Sequence, residues 1–433
     1  MYKSVWTLLR RNIFLPLIAL LTLLSCNNNN NEFPRTENNS NIFETIDKTM
    51  QEWYLWNDQL PAINSNNYNS ANAYFENLLV SQDRWSFIAD LDDLLAFFEN
   101  GTYTGYGLSF KFDQNNDLRV KLIFDASPIA NEGITRGWKL VKINQLTISN
   151  LSDNQILSEL GKPNADFVFE NNSGEQKEVI ASQQELDQNT VLKREVIDYE
   201  GIKVAYLAFD SFLGRSEEEL NEAFTYFKDQ NASELVLDLR YNGGGSTYIA
   251  NQLASLITGN QYEGEIFSKV FHNESKRSED FSEAFENQPA AFGFQRVFII
   301  TTSSTASASE MVINGLKPYL GKENVILIGS TTHGKPVGMY VFEEKDLNLA
   351  IVPISFSITN ANDEGGYFDG IPVDYEIVDD ISRDFGNIEE SNFRSALEFI
   401  KTQNFPVIAT AKSISTSERE FKKKGLDELI DAF

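Results

Sequence analysis

Val297-Phe298-Ile299-Ile300-Thr301-Thr302-Ser303-Ser304-Thr305-Ala306-Ser307-Ala308-Ser309-Glu310 is the stretch on which the fold of this chain turns. It opens with apolar, mostly β-branched or aromatic residues at strand length, which predicts a buried strand. A run of small hydroxylated residues follows, and then a segment with helical character, Glu310–Leu320. A serine at such a strand-to-helix turn sits where backbone N–H groups and the helix dipole point at a developing oxyanion. The same residues have a plainer reading: Ser307-x-x-Glu310 is a capping box, a helix-start device with no chemistry attached.

Two more apolar runs of strand length lead into unusual turns. Leu235–Leu239 opens into Arg240-Tyr241-Asn242-Gly243-Gly244-Gly245. Consecutive glycines let the backbone approach a ligand with N–H groups free to donate, although alone they mark only a turn. Val325–Ile328 leads to Gly329-Ser330-Thr331-Thr332-His333-Gly334-Lys335-Pro336. That spacing is close to a phosphate-binding loop, but Pro336 stands where a magnesium-binding hydroxyl is required. Val337–Phe342 reads as a strand, so no helix N-terminus is offered to phosphates and a nucleotide site is excluded. Strands alternating with small-residue turns and helices predict an α/β core.

Scarcity narrows the chemistry further. The chain has two histidines, His272 and His333, and one cysteine, Cys26. A His/Cys metal cage is excluded, although carboxylates alone can bind calcium; no metal and no cofactor is expected. A Ser-His-Asp triad would have to use one of those two histidines, and Ser307 lacks a G-x-S-x-G elbow. Asp and Glu outnumber Lys and Arg by 63 to 36, for a formal charge of -27. Nucleic acid is therefore excluded as a partner, because displacing its counterions needs clustered cations.

Taken in order, Asp238–Gly245, Thr305–Glu310 and Gly334-Lys335 resemble the Asp-Leu-Arg-Asn-Asn-x-Gly-Gly, Ser-Ala-Ser-Ala-Ser-Glu and Gly-Lys motifs of the S41, or tail-specific, carboxy-terminal processing peptidases. The resemblance extends over roughly residues 40 to 400. It implies a ClpP/crotonase-like α/β protease core and a serine endopeptidase using a Ser–Lys dyad. Position by position, it makes Ser307 the nucleophile, Lys335 the general base, and the N–H groups of Ala308 and Gly244 the oxyanion hole. A lysine base needs its amine unprotonated, which burial by Val337, Met339 and neighbouring strands would favour. His333, two residues from Lys335, would share its face in a strand and is a second candidate base. The chain departs from the family pattern in having Met339 where many members carry a glutamine and Tyr241 where the first asparagine stands. Both departures bear on how the lysine and the oxyanion donors are oriented.

Gly105-Tyr106-Gly107-Leu108, followed by a strand, resembles the carboxylate-binding loop of a PDZ domain. Ser127–Ala130, Gly133-Ile134 and Gly137–Asn144 continue that resemblance. It implies that the N–H groups of Tyr106, Gly107 and Leu108 receive a peptide carboxylate while the peptide adds as a strand. In this family such a module captures substrate tails or gates the active site.

Lys3, Arg10 and Arg11 precede a short apolar run, Ile13–Leu24, too short to span a bilayer, and then Ser25-Cys26 and asparagines. Leu23–Cys26 resembles a bacterial lipobox, implying a lipid-modified Cys26 and a location in the bacterial cell envelope, on the periplasmic side of the outer membrane. The expected organisation is a signal peptide (1–25), an Asn-rich tether (26–40), a helical region (41–99), a PDZ-like β-rich domain (100–185), a peptidase core (186–380) and a helical extension with a charged tail (381–433), whose charged end Arg419–Lys424 is expected to be solvated. Polypeptide substrates and the membrane are the expected partners. A non-catalytic peptide-binding envelope lipoprotein on the same scaffold is the alternative, favoured by Met339.

Overall fold

The computed structural model describes Phe33, residues 41–407, Phe421, Gly425, Leu426, Ile430 and Phe433. The expected signal peptide and Cys26 lie outside these residues. Among the described residues, no helix is long and apolar enough to cross a membrane. The chain forms two compact units.

The first unit combines the residues up to Leu95 with Val270–Phe281 and Val337–Ile358. The helix Ile42–Trp53 buries Ile42, Phe43, Ile46, Met50 and Trp53, the stripe its helical spacing predicts. A second helix, Ala71–Leu78, starts at Ser70, whose hydroxyl accepts the Ala73 N–H. The expectation of helix throughout residues 41–99 needs correction, because Phe87–Asp90 is a strand paired antiparallel with Leu349–Val352. Four residues are too few to show a period, and the partner lies far along the chain. Asp83 fixes the turn into this strand by accepting the N–H groups of Trp85 and Ser86. The single strand expected over Val337–Phe342 is two: Val337–Met339 pairs with Ile354–Ser357, and Phe342–Glu344 with Leu349–Ile351.

The second unit comprises Ala96–Lys269, Ser282–Pro336 and Thr359–Phe433. Its centre is a six-stranded sheet in the order Val191–Tyr199, Ile202–Phe209, Glu234–Asp238, Val297–Thr301, Val325–Gly329, Tyr375–Glu376. The first pair is antiparallel and the remaining pairings are parallel. Leu235–Leu237 and Val297–Ile300 are wholly buried, as continuous apolar runs in a sheet covered on both faces should be. One face, with Val204, Tyr206, Val236, Phe298, Ile300 and Ile328, is covered by Phe393, Ala396, Leu397 and Ile400 of the helix Ser391–Thr402. That helix, expected in an extension, is thus part of the core: its i, i+3, i+4, i+7 stripe needed an apolar face to cover.

The same unit holds an antiparallel β-rich module. Leu108–Phe112, Leu118–Ile123, Lys139–Ile143, Asn164–Glu170 and Gln176–Ser182 pair in that order, with Leu108–Phe112 at the edge. The helix Asp153–Leu160, started by a Ser152/Gln155 capping box, buries Ile156 and Leu160 in the module's core. Thr102–Gly105 pairs with Gln184–Asp187, closing the module slightly beyond the expected boundary at 185.

Candidate active site

Parallel pairing brings three loops to one place. Asp238 is in register with Ile300, and Thr301 with Gly329. The glycine loop, the serine turn and the segment carrying Lys335 therefore all leave the carboxyl ends of adjacent strands, where open α/β sheets bind their ligands.

The hydroxylated run proves to be a fastening. Thr302 and Thr305 donate through their hydroxyls to the carbonyls of Arg240 and Leu239, and Ser309 donates to that of Asn242 at 3.0 Å. The Ala306 N–H also donates to the Asn242 carbonyl, at 3.0 Å. Hydroxyls short enough to reach the neighbouring main chain explain why this stretch is Ser and Thr rather than apolar. Ser307 itself takes no part. It is half-buried, with φ 56° and ψ −114°, a conformation that costs an L-residue about 1–3 kcal/mol and persists only when its surroundings impose it. The helix then runs from Ala308 to Leu320, so Ala308 is its first residue and its N–H has no partner within the helix.

Glu310 ties the serine turn to the lysine segment. Its Oε2 accepts the N–H of Ser307 at 2.9 Å and that of Lys335 at 2.8 Å. Its Oε1 accepts the N–H of Gly334 at 2.7 Å and the Thr332 hydroxyl at 2.5 Å. One oxygen shared between two backbone nitrogens leaves them no farther apart than those two bonds combined. Burial pushes the Glu310 carboxyl above its ordinary range, and the four donors pull against that. Lys335 is 8% exposed, and the His333 N–H donates to the Thr305 carbonyl.

Gly244 lies against the serine. A Cβ on it would stand 2.7 Å from Ser307 Cβ and 3.0 Å from the Ala308 nitrogen, and its φ is +105°, so only glycine fits. Its N–H, expected as an oxyanion donor, donates instead to Asn242 Oδ1 at 2.9 Å. Asn242 Nδ2 is held by the Phe209 carbonyl, which fixes the side chain in this role.

Beneath the glycine loop lies a buried ionic network. Arg240 forms two-pronged contacts with Asp238 and with Glu390 and also reaches Asp379 at 2.9 Å. Tyr241, the departure from the family pattern, donates to Asp379 and accepts from Arg136 of the β-rich module at 2.9 Å. Burial alone would raise the Asp379 carboxyl, but Arg136, Lys111 and Arg240 outweigh it and hold the group far below its ordinary range.

The structure thus brings Ser307, Ala308, Gly244 and the backbone of Lys335 into one neighbourhood. His272 lies in the first unit, where Asp280 and Tyr340 engage its two ring nitrogens. Sequence reasoning missed Glu310 and Asn242 as site residues. Glu310 was visible only as the end of a capping box, and nothing local marks the second loop that it holds. At the β-rich module, the N–H groups of Tyr106 and Gly107 both donate to the main-chain oxygen of Phe433, at 2.6 and 2.9 Å. Leu108, expected to donate there, instead accepts the Phe433 N–H.

Comparison with known proteins places these features in context. Residues 203–377 match the family model described as peptidase family S41, and residues 41–87 match the peptidase S41 N-terminal domain. The chain is 25% identical over 323 residues to carboxyl-terminal-processing peptidase 1, chloroplastic, of Arabidopsis thaliana, covering 72% of this chain and 63% of the plant protein. It is 23% identical over 338 residues to the carboxyl-terminal-processing protease of Synechocystis, covering 72% of this chain and 73% of that one. A solved structure from Bacteroides fragilis, assigned to the S41 proteases, matches with a TM-score of 0.69 at 23% identity, over 83% of this chain and 97% of that one. That last likeness is one of fold.

Proposed function

Because this chain belongs to peptidase family S41, we propose that it is a serine endopeptidase whose nucleophile is Ser307 and whose general base is Lys335. The observation that carries this reading is the shared Glu310 oxygen, which holds the backbones of both residues together. Ser307 Oγ attacks a peptide carbonyl carbon while Lys335 Nζ takes its proton. To do so Lys335 must hold a neutral amine, and withdrawal from water is the condition that favours one. The resulting oxyanion is received by the Ala308 N–H at the helix start, and by the Gly244 N–H once it leaves Asn242. The lysine ammonium returns the proton to the departing amine, and water then hydrolyses the acyl-enzyme. The strained backbone at Ser307 is imposed by the hydrogen bonds that fasten its neighbours to the glycine loop.

The β-rich module is read as PDZ-like, with Tyr106 and Gly107 as donors to a peptide carboxylate, so that unstructured segments or chain ends are captured before cleavage. A lipid on Cys26, holding the protein on the periplasmic side of the outer membrane, completes the proposal. Incubation with a denatured polypeptide, with the products sequenced by mass spectrometry, tests it. Fragments are expected from wild type and none from Ser307→Ala; fragments from both proteins would overturn the assignment.

A further inference from the structure

Tyr106 and Gly107 already have an occupant. Their N–H groups converge on the main-chain oxygen of Phe433, the last residue of this sequence, while the Phe433 N–H donates to the Leu108 carbonyl at 2.8 Å. Phe433 therefore lies along the unpaired side of the edge strand Leu108–Phe112, as an added strand would. Its ring packs on the module's core, 6.3 Å from that of Phe110 and 5.9 Å from that of Phe421, which itself meets Phe112 at 5.4 Å. Three residues earlier, Ile430 packs with Tyr103, Phe124 and Leu186. Gly105 gives the tail room: a Cβ there would stand 2.7 Å from the Phe433 carbonyl carbon. Of the charged end expected to be solvated, Arg419–Lys424, the one described residue, Phe421, packs on the module's core, as Phe433 does.

We infer that the groove formed by Gly105–Leu108 and the edge strand Leu108–Phe112 is filled in cis by the chain's own Phe433, which a polypeptide must displace to bind there. The chemistry the groove selects is an aromatic residue with an aliphatic one three places before it, because Phe433 and Ile430 occupy those two apolar sites. Two main-chain donors aimed at one oxygen favour a carboxylate over an amide. A tethered ligand competes at an effective concentration that reaches the millimolar range. The tail thus sets a threshold, and only a polypeptide that matches it or exceeds it in affinity gains the groove. This inference rests on the peptide-binding reading of the module but not on the Ser307–Lys335 chemistry.

The test reads binding alone. A fluorescent peptide with the sequence Lys424–Phe433 is titrated, by anisotropy, against the full chain carrying Ser307→Ala, so that no peptide is cut. It is titrated in parallel against that chain ending at Val407 and against the full-length chain with Phe433→Asp. Both tail variants should bind at least about tenfold more tightly than the intact chain, as expected for loss of a tethered competitor. The same peptide with an amidated end should bind all three weakly. If truncation prevents folding, the Phe433→Asp chain decides. Equal affinity for intact and tail-variant chains, or no binding to any, would overturn the inference. So would shielding that fades on dilution of the protein, since the tail would then be reaching a second copy. Failure here leaves peptide cleavage by wild type untouched, and failure of cleavage leaves the binding difference untouched.

Discussion

Glu310 is the residue on which the geometry of the site depends most. Four donors converge on its carboxylate, and two are the backbone N–H groups of Ser307 and Lys335. Glu310→Gln keeps the shape but turns a donor toward at least one backbone N–H group, that of Gly334 or those of Ser307 and Lys335. It should lower stability by about 1–3 kcal/mol, the cost of a buried group left unsatisfied. Activity should fall further than that loss of folded protein explains, which urea titration and peptidase assay on the same sample will separate. Equal falls in both would make Glu310 a capping residue only. The serine was legible because a hydroxyl run between a strand and a helix is chemically odd. The role of Glu310 was not, since a capping box looks the same whether or not a distant loop also uses the carboxylate.

Three strands and the turns at their ends make the site. Leu235–Leu239, Val297–Thr301 and Val325–Ile328 could be read from sequence because strands buried on both faces are apolar without interruption. The strand Phe87–Asp90 could not, because its identity depends on a partner strand more than two hundred residues away. The break between Met339 and Phe342 was equally hidden, because a register shift at Gly338/Met339 is set by the pairing with Ile354 and Phe356. The glycine loop could be read as a close approach, but not its detail: the Gly244 N–H is held by Asn242 Oδ1. Gly244→Ala places a Cβ against Ser307 Cβ and the Ala308 nitrogen. It should abolish measurable cleavage while the far-UV circular dichroism stays that of wild type. Wild-type turnover in this variant would show that the loop does not adjoin the reacting atoms.

Across the whole molecule, the charge balance of -27 says little about what is buried. The network around Asp379, whose side chain is 4% exposed, draws Arg136, Arg240, Lys111 and Tyr241 from widely separated segments, and no local pattern announces it. Asp379 is held far below its ordinary range when folded, against an unfolded value of about 3.9. Its contribution is therefore complete above that unfolded value and drains away as the pH falls through and below it. Urea titrations from pH 7 to pH 3 should show this loss in wild type. Asp379→Asn should already be about 3–5 kcal/mol less stable at pH 7, with its buried arginines left short of charge, and should lose less on acidification. Parallel curves for the two proteins would remove Asp379 from the account.

The central claim is that Lys335 activates Ser307, and its most direct test is reaction with a fluorophosphonate, in which the serine oxygen displaces fluoride from phosphorus. Peptide mapping should place the phosphonyl group on Ser307 in wild type, with the labelling rate lowered about 10²–10⁴-fold in Lys335→Ala, the usual worth of a general base. Labelling of Lys335→Ala at the wild-type rate, or a label on a different serine, would contradict it.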